Sequence, residues 1–460
     1  MWMYTSQFYQ LYTLRFCGAP DENRFDFSTW NGAAAPDVNR LAKIAEWIPH
    51  IARTGADTVY FTPLFQSDRH GYDTRDYYTI DSRLGTNEDF AAVCASLHDA
   101  GLRVVLDAVF NHVGRGFWAF RDVLQHRRNS AYADWFHIDW NRDSPFSDGF
   151  HYEGWEGHYD LVKLDLKNPD VRDHLFGAVE KWVDLFHIDG LRLDVAYCLD
   201  RDFLSELRAR CNNLPDSRGQ KGLALVGETI YGKDYPLVSD TLLHACTNYE
   251  LYKALYSGCN DRNMFEPSWT LNQQQELYQP GRMMTFCDNH DVTRIASQLI
   301  TPEHLPIVYG LLFALPGFPC VYYGSEWGIA GVKEQGDNDL RPCPTNPQWT
   351  GLTDFIARLS RIRKGSPALS GGSFRELCVR NGQYLFERVH AEPGHLNRER
   401  VVVAVNLTES VEPIPVVHEG YGKFEGLHGQ FTNVFTGDAI HFSGGITLPP
   451  FSVQYFREQG

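Results

Sequence analysis

Short apolar runs recur along the chain from Phe8 to Tyr323, and amphipathic stretches with helical spacing lie between most of them. Eight of these runs predict β-strands: Phe8–Tyr12, Thr58–Phe61, Leu102–Asp107, Gly190–Asp194, Leu223–Glu228, Leu243–Thr247, Met283–Phe286 and Cys320–Tyr323. Four of the amphipathic stretches predict helices: Val38–Thr54, Asn87–Ala100, Asn168–Phe186 and Asp202–Asn212. Alternation of strands and helices favours a parallel sheet. A sheet of eight such units that closes on itself is a (β/α)8 TIM barrel, whose functional residues lie at the carboxyl ends of the strands.

One region interrupts this alternation. Residues 110–163 are rich in aromatic, charged, Gly and His residues, show no clean period and are too many for a simple strand-to-helix loop. A flexible insertion is one interpretation. We expect a folded inserted domain instead, because its tryptophans suit a packed lobe better than a disordered one (Trp118, Trp135, Trp140, Trp155).

The pattern changes again near the carboxyl end, where short strand-like runs alternate with Gly, Pro and Asn turns. These runs are Phe374–Val379, Tyr384–Val389, Arg400–Leu407, Gly429–Phe435 and Ser452–Phe456. Such a texture predicts a β-sandwich. The predicted domains are a barrel formed by residues 1–109 and 164–366, an inserted domain of residues 110–163 and a C-terminal all-β domain of residues 367–460.

The charge balance limits the class of ligand. The 460 residues include 58 acidic and 42 basic side chains, a formal net charge of −16. This balance argues against nucleic acid or an anionic membrane as partner. Aromatic residues make up 14% of the chain, more than a core usually requires, so some are expected to face a ligand. A neutral ligand is therefore favoured.

The sequence also indicates a cellular location. The amino-terminal residues show no basic segment followed by an apolar one, and no apolar run approaches the roughly 18 residues of a membrane span. The ten cysteines are scattered without a CxxC pair, and several lie in apolar runs (Cys246, Cys287, Cys320). These features predict a cytoplasmic protein.

An arginine and an aspartate stand two residues apart at the end of the fourth predicted strand, in the run Gly190–Ala196. Because a strand alternates its faces, Arg192 and Asp194 point to the same side. The guanidinium compensates the burial of the carboxylate and favours its ionised form. Such an aspartate can act as a covalent nucleophile, and a structural ion pair is the alternative.

Three other predicted strands also end in polar residues. These are Asp107, Asn111 and His112 after the third strand, Glu228 at the end of the fifth, and Asp288, His290 and Asp291 after the seventh. A closed barrel would bring their carboxylates and imidazoles to one rim. The rim is either an active site or a polar edge without catalysis.

Four of these segments resemble, in order and spacing, the conserved regions of the α-amylase family of glycoside hydrolases (family 13): Asp107–His112, Gly190–Ala196, Gly227–Glu228 and Phe286–Asp291. The resemblance implies that Asp194 is the nucleophile, Glu228 the acid/base and Asp291 a stabiliser of the transition state. It also implies a retaining mechanism, in which two carboxyl groups about 5 to 5.5 Å apart form and then hydrolyse a covalent intermediate. Arg192 would keep Asp194 ionised, and acidic neighbours would favour the protonated form of Glu228.

The same resemblance implies which residues bind the substrate. Tyr72 resembles the tyrosine that stacks under the sugar at the cleavage point, although a loop tyrosine without that role is the alternative. His112 and His290 resemble the pair that hydrogen-bonds the same glucose unit. The motif predicts a neutral α-glucan oligosaccharide as the partner.

Further positions resemble parts of the family pattern. Asp337 and Arg341 resemble a pair that binds a more distant glucose, and Asp339 competes for the role of the aspartate. Asn111 resembles one ligand of a calcium ion that often bridges the barrel and the inserted domain. Because no Asp-rich cluster completes a shell of 6 to 8 oxygens, a structural calcium ion is left open, and the chemistry itself requires no cofactor.

The segment Leu161–Asp165 resembles the variable fifth region of the neopullulanase and cyclomaltodextrinase branch. The chain departs from that branch because its first strand begins within about the first ten residues, which leaves no room for the N-terminal domain of the branch. Thr229 also stands where better-known members have Trp or Ile after the acid/base.

The predicted function is hydrolysis of α-1,4 bonds in maltooligosaccharides or cyclodextrins through a glucosyl-enzyme intermediate. One alternative is a 4-α-glucanotransferase that passes the intermediate to another sugar. The other is a catalytically inactive sugar-binding or interaction protein, against which the retention of all three carboxylates argues. Chain-length preference, linkage choice and oligomeric state are left open.

Overall fold

The computed structural model describes residues 1–23, 39–277, 280–391, 398–416 and 425–459. All eight predicted barrel strands are present in these residues and pair in chain order into a closed parallel barrel. Their bounds are β1 Phe8–Leu11, β2 Thr58–Phe61, β3 Arg103–Ala108, β4 Gly190–Leu193, β5 Ala224–Gly227, β6 Ala245–Thr247, β7 Met283–Phe286 and β8 Phe318–Tyr322. The predicted TIM barrel is confirmed.

The barrel strands are buried on both faces, and β4 shows how the two faces differ. Leu191 and Leu193 pack in the large core outside the strands, so Arg192 between them points into the barrel. In register beside Arg192 lie Asp107 of β3 and Val226 of β5. The interior itself is filled mainly by an apolar cluster of Phe8, Tyr60, Val105, Ala224, Val226, Ala245, Met284, Phe286, Phe318 and Cys320. Asp107 and Arg192 therefore form a charged layer near the carboxyl ends of the strands, beside this apolar cluster.

Three of the four predicted helices begin after a residue whose side chain caps them. Thr86 forms a capping box with Asp89, and the Asn168 side chain accepts the N–H groups of Asp170 and Val171. The four predicted helices are observed at Ala42–Thr54, Asn87–Asp99, Pro169–Phe186 and Arg201–Cys211. Val38, the predicted start of the first, lies outside the described residues. The other α-helices are Thr13–Phe16, Trp118–His126, Tyr249–Asn260, Phe265–Leu277, Ile295–Gln298, His304–Ala314, Asp337–Leu340, Gly351–Lys364 and Pro367–Gly371, and the 3₁₀ turns are Trp2–Thr5, Arg127–Asn129, Ala133–Trp135, Ala196–Cys198, Gly232–Leu237, Pro280–Arg282, Ser325–Trp327 and Lys333–Gln335.

The segment between β3 and β4 is folded. Its strands are His112–Gly114, Ile138–Asp139, His151–Tyr152, Gly154–Trp155 and His158–Lys163, and a further strand pair, Phe65–Ser67 and Thr74–Ile80, precedes it. Trp118 and Trp135 pack edge to face at 5.4 Å, and both Nη atoms of Arg115 lie 2.8 Å from Asp148. Trp135 is buried in the core, and Trp118 and Trp140 pack against that core, while the boundaries at residues 110 and 163 stay a prediction.

The carboxyl-terminal region is a β-sandwich, as predicted. Its strands are β9 Ser373–Val379, β10 Gln383–Ala391, β11 Arg398–Asn406, β12 Glu412–Ile414, β13 Leu427–Asn433, β14 Ala439–Gly444, β15 Ile446–Leu448 and β16 Ser452–Glu458. Six form an antiparallel sheet in the order β9-β10-β11-β16-β13-β14, and β12 pairs with β15. Val401 and Val403 of β11 pack with the barrel helix His304–Ala314, whereas Val402 and Ala404 pack in a second core with β12 and β15. Sequence analysis missed β12, β14 and β15.

None of the described helices is both long and apolar enough to cross a membrane. All ten cysteines are free thiols, and eight of them are buried, including Cys246, Cys287 and Cys320. These three cysteines act as small core residues, as their apolar surroundings in the sequence indicated.

Candidate active site

One guanidinium lies at the centre of the carboxyl-terminal rim of the barrel. Arg192 Nη1 donates to both oxygens of Asp107 at 2.9 and 3.0 Å and to Oδ1 of Asp194 at 2.9 Å. Its Nη2 lies 2.9 Å from Oε1 of Glu228. All four side chains are buried. The structure thus brings the predicted nucleophile and the predicted acid/base onto adjacent nitrogens of one arginine.

Three carboxyl groups share the single positive charge of Arg192, so ionising all of them at once is costly. Burial raises the pKa of Asp107 to about 6 and raises the pKa of Asp194 well above its usual value, although Arg192 opposes both shifts. Sequence analysis expected a pair of Arg192 and Asp194 in which the arginine keeps the aspartate ionised. The structure shows a four-membered cluster in which burial favours the protonated forms of Asp107 and Asp194 against the opposing charge of Arg192.

Val195, the residue after the predicted nucleophile, has a left-handed backbone conformation with φ of +39°. A β-branched residue rarely adopts this conformation, which costs about 1 to 3 kcal/mol. The Val195 N–H donates to Oε2 of Glu228 at 3.0 Å. The flanking backbone is fixed, because the Asp194 N–H donates to Ala108 at 3.1 Å and the Glu228 N–H donates to Leu193 at 2.8 Å. The strained turn therefore aims a peptide N–H at the acid/base.

His290 connects the third predicted carboxylate to the barrel interior. The Gln10 amide donates to Nδ1 at 2.8 Å, so Nε2 carries the proton, and it lies 3.0 Å from Oδ2 of Asp291 and 2.5 Å from the Tyr72 hydroxyl. The Tyr72 ring stacks parallel to the imidazole with the centroids 5.8 Å apart. Burial holds the pKa of His290 well below its usual range. The ring is therefore neutral and donates only through Nε2.

His112 presents an N–H to the site. The Asn111 amide lies 3.2 Å from Nδ1, so Nε2 carries the proton. This Nε2 lies 4.0 Å from Oδ2 of Asp194 and has no hydrogen-bond partner in the described part of the chain. Burial lowers the pKa of His112 to about 3, and Trp155 stacks on the ring at 5.8 Å. A neutral donor beside the nucleophile suits a sugar hydroxyl.

The predicted pair of Asp337 and Arg341 is present, with Oδ1 and Nη1 3.2 Å apart. Arg341 Nη2 also donates to Oδ1 of Asp291 at 3.1 Å, and the guanidinium lies 4.4 Å from the centre of the Tyr12 ring. Asp339, which competed for the role of Asp337, accepts a backbone N–H of its own loop instead, at 2.6 Å. Arg341 therefore contacts Asp291, the predicted stabiliser of the transition state, as well as Asp337.

A cleft of about 320 Å³ adjoins this group. Residues that line it include Tyr12, Arg15, Arg69, His70, Asp160 and Asp337. The volume falls within the range of small-molecule sites. The cleft offers room for a ligand that extends beyond the reacting carboxylates.

A family model described as the catalytic domain of alpha amylase matches residues 10–250 and 263–361. The chain belongs to the α-amylase family of glycoside hydrolases. The matched residues include every side chain of the site described above, from Gln10 to Arg341. The predicted family is therefore confirmed.

Similar proteins indicate to which branch of the family the chain belongs. The chain is 31% identical over 396 residues to a cyclomaltodextrinase of a Bacillus species, an alignment that covers 82% of this chain and 69% of that enzyme. It is 30% identical over 377 residues to the intracellular maltogenic amylase of Bacillus subtilis, which covers 79% of this chain and 62% of that enzyme. The chain thus spans about two thirds of the length of these curated relatives.

A solved structure matches the whole chain. The cyclic α-maltosyl-(1→6)-maltose hydrolase of Arthrobacter globiformis superposes with a TM-score of 0.79 at 27% identity, over 99% of both chains. Together with the neopullulanase 2 of Thermoactinomyces vulgaris, which is 28% identical over 98% of this chain, these relatives place the chain in the cyclomaltodextrinase, neopullulanase and maltogenic amylase branch. It is an α-glucan hydrolase.

A structural calcium ion at Asn111 stays a prediction of the family resemblance. The side-chain amide nitrogen of Asn111 lies 3.2 Å from Nδ1 of His112, and the backbone carbonyl of Asn111 accepts the Leu164 N–H at 3.0 Å. In the ranges that the structure describes, no group of three or more His, Cys, Asp or Glu side chains could hold a metal ion. Calcium requires six to eight oxygen ligands. The steps proposed below use only side chains of this chain.

Sequence analysis assigned no role to five residues of the site. Tyr60 and Tyr72 donate to Oδ2 of Asp107 at 2.9 and 3.2 Å. The Tyr249 hydroxyl lies 3.3 Å from Oε1 of Glu228 and accepts from the Asn289 amide at 2.8 Å. The five are Gln10, Tyr60, Asp107, Tyr249 and Asn289. The sequence could have indicated two of them, because Gln10 and Asp107 are polar residues inside apolar strands. A tyrosine gives no such indication, since tyrosines are also common in protein cores.

Thr229, the unusual residue after the acid/base, faces away from the site. It is fully buried, and its backbone N–H and hydroxyl bond to Thr247 at 3.0 and 3.2 Å. Its side chain therefore joins β5 to β6 and does not line the cleft.

Two buried histidines predict loss of stability in acid. Burial lowers the pKa of both His112 and His244 to about 3 in the fold, whereas an unfolded histidine titrates near 6.5. Between these values the unfolded chain binds more protons, so the free energy of unfolding falls as the pH falls from 6.5 towards 3, by up to about 1.4 kcal/mol per pH unit for each histidine. In urea unfolding at several pH values, His244→Gln should remove the contribution of one histidine from this slope. The exposed His441 supplies the control variant His441→Gln, and an unchanged slope in His244→Gln would contradict the prediction.

Proposed function

We propose that the chain is a retaining hydrolase of α-1,4-linked maltooligosaccharides or cyclodextrins that acts through a glycosyl-enzyme intermediate. The observation that carries the proposal is the contact of Arg192 with both Asp194 and Glu228 at 2.9 Å. Two carboxylates on neighbouring nitrogens of one guanidinium lie close together, as a retaining mechanism requires, and leave less room between them than the water of an inverting mechanism needs.

In the first step, an oxygen of Asp194 attacks the anomeric carbon, and the bond from that carbon to the glycosidic oxygen breaks. Glu228 gives its proton to that oxygen, so the leaving sugar departs as an alcohol. In the second step, Glu228 takes a proton from water, whose oxygen displaces Asp194 from the anomeric carbon. The free sugar forms and Glu228 regains its proton.

Other residues act on the charge and shape of the reacting sugar. The Asp291 carboxylate, held by His290 at 3.0 Å and Arg341 at 3.1 Å, lies ready to stabilise positive charge on the ring. The face of Tyr72 suits the C–H groups of a sugar. His112 supplies a neutral N–H for a hydroxyl. Such neutral donors and an aromatic face match an uncharged oligosaccharide.

The proposed substrates and setting follow from the relatives and the composition. The related enzymes are named for cyclomaltodextrin and maltose chemistry, and the Arthrobacter hydrolase was solved with cyclic α-maltosyl-(1→6)-maltose. The ten free cysteines support a cytoplasmic enzyme.

Initial rates on maltoheptaose, β-cyclodextrin, pullulan and starch, measured side by side, test this function. We expect the oligosaccharide and the cyclodextrin to react fastest, and NMR of the first product should show the α-anomer. Release of the β-anomer would contradict a retaining mechanism, and a strong preference for starch would contradict the substrate class. Products longer than a maltotriose substrate would identify a transglycosylase, and no turnover would identify an inactive binding protein.

A further inference from the structure

We propose that Tyr249 is a positioning residue for the general acid. Its hydroxyl donates a hydrogen bond to Oε1 of Glu228, so the proton that Glu228 gives to the leaving sugar is carried by Oε2. The inference rests on the proposed function, because it assigns the oxygen that protonates the leaving sugar. It is carried by three hydrogen bonds around one hydroxyl and one carboxyl group. No motif of the sequence pointed to this residue.

The Tyr249 ring is fixed from several sides. It is the first residue of the helix Tyr249–Asn260, and the preceding Asn248 caps that helix by accepting the Leu251 N–H at 3.0 Å. The ring packs edge to face on Phe286 at 5.0 Å and on Tyr252 at 6.3 Å. A ring held in this way delivers its hydroxyl to one point of the site.

The direction of the hydroxyl proton follows from Asn289. The Oδ1 atom of Asn289 accepts the Asp291 N–H at 2.8 Å, which fixes the amide so that its Nδ2 donates to the Tyr249 hydroxyl at 2.8 Å. A phenol has one proton, and burial raises the pKa of Tyr249 well above its usual value. The hydroxyl therefore stays protonated and donates to Oε1 of Glu228 at 3.3 Å.

The lone pairs of Glu228 then decide where its own proton resides. Oε1 accepts the Tyr249 hydroxyl and forms an ion pair with Arg192 Nη2 at 2.9 Å. Oε2 receives only the Val195 N–H at 3.0 Å. A proton on Oε1 would compete with the Tyr249 bond and lie beside the positive charge of Arg192, whereas Oε2 keeps one of its two lone pairs free. The proton that passes to the glycosidic oxygen therefore leaves from Oε2.

Removal of the hydroxyl opens a second position for the proton. In Tyr249→Phe, Oε1 has a free lone pair, and part of the enzyme holds the acidic proton on the oxygen beside Arg192. Protonation of a sugar leaving group should slow about 10- to 100-fold, a part of the 10²- to 10⁴-fold that general acid catalysis supplies. A fluoride leaving group depends far less on an acid, so hydrolysis of α-maltosyl fluoride should change less than about threefold.

The pH profile gives a second readout. The Tyr249 hydroxyl stabilises the ionised carboxylate of Glu228 by donating to it. Without that bond, the protonated acid persists to higher pH, and the alkaline limb of kcat/KM on maltotriose should move upward. A role confined to packing would lower activity without moving this limb.

The experiment compares wild type, Tyr249→Phe and Tyr252→Phe on maltotriose and on α-maltosyl fluoride. Tyr252→Phe removes a hydroxyl from the neighbouring ring and should match wild type on both substrates. Asn289→Asp serves as a second variant: it keeps the Oδ1 acceptor for the Asp291 N–H, offers the Tyr249 hydroxyl an acceptor in place of a donor, and should show the same selective loss. Equal losses on both substrates, or no loss, in correctly folded Tyr249→Phe or Asn289→Asp would overturn the assignment of Tyr249.

Glu228→Gln separates this test from that of the proposed function. It should lose activity on maltotriose but keep a first turnover with α-maltosyl fluoride. If wild type hydrolyses neither substrate, or if Glu228→Gln matches wild type on maltotriose, the proposed function itself fails. If Glu228→Gln behaves as expected and Tyr249→Phe shows no selectivity, only the inference about Tyr249 fails.

Discussion

Asparagine in place of Asp194 should abolish turnover of maltooligosaccharides while the fold survives. The amide cannot form a stable ester with the anomeric carbon, so the first step loses its nucleophile. We expect kcat on maltotriose to fall by at least about 10³-fold, which corresponds to about 4 kcal/mol in the activation barrier. Product chromatography over long incubations measures the loss.

The stability of Asp194→Asn should equal or exceed that of wild type. The amide oxygen can still accept the 2.9 Å bond from Arg192, and the substitution removes one of three carboxylates that share one guanidinium. Buried carboxylates that are needed for activity commonly lower the stability of the folded protein. Thermal unfolding measures this outcome, with the exposed Asp99→Asn as control. Near-normal turnover by Asp194→Asn would refute its assignment as nucleophile.

Lysine in place of Arg192 should reduce both activity and stability. The guanidinium uses two nitrogens to contact three carboxylates, and a single ammonium on a shorter reach cannot replace that fork. At least one buried carboxylate loses its partner, and loss of a buried ion-pair partner costs about 3 to 5 kcal/mol. Because lysine retains the positive charge, the free energy of unfolding measured in urea should fall by about 3 kcal/mol.

The activity of Arg192→Lys should fall by at least about 10²-fold, because a displacement of about 1 Å in reacting groups costs that much. Asp194 and Glu228 would each change position or be in the wrong protonation state for their proposed roles. The matched control is Arg210→Lys, which changes an exposed ion pair with Glu206 and should leave kcat and the unfolding free energy unaltered. Wild-type behaviour of Arg192→Lys in both measurements would mean that the charge alone, and not the fork, organises the site.

The barrel was predictable from the sequence because its strands are buried on both faces and therefore appear as continuous apolar runs. The missed strands of the sandwich carry a weaker signal. Ala439–Gly444, for example, exposes half of its residues, and Glu412–Ile414 and Ile446–Leu448 are three residues long. Short half-exposed strands resemble loops in composition and are fixed only by their pairing.

The candidate site was predictable where polar residues end apolar strands, as at Asp194, Glu228 and Asp291. The sharing of Arg192 was not predictable, because it depends on the register that sets Arg192 beside Asp107 in the closed barrel. Tyr249 was also beyond sequence analysis. It begins a helix after β6, and only tertiary packing turns its hydroxyl towards Glu228.

The contact between Trp155 and His112 joins two strands of the segment between β3 and β4, Gly154–Trp155 and His112–Gly114. Trp155 ends a two-residue strand that forms a hairpin with His158–Lys163, and the His112 imidazole on which it stacks lies 4.0 Å from the predicted nucleophile. Any local opening of that hairpin therefore withdraws support from a predicted substrate-binding group. Ligand binding and local unfolding of the insertion are then competing equilibria. A mutation that changes only the stability of the hairpin should therefore change the apparent affinity for sugar, even if the mutated residue makes no contact with the sugar.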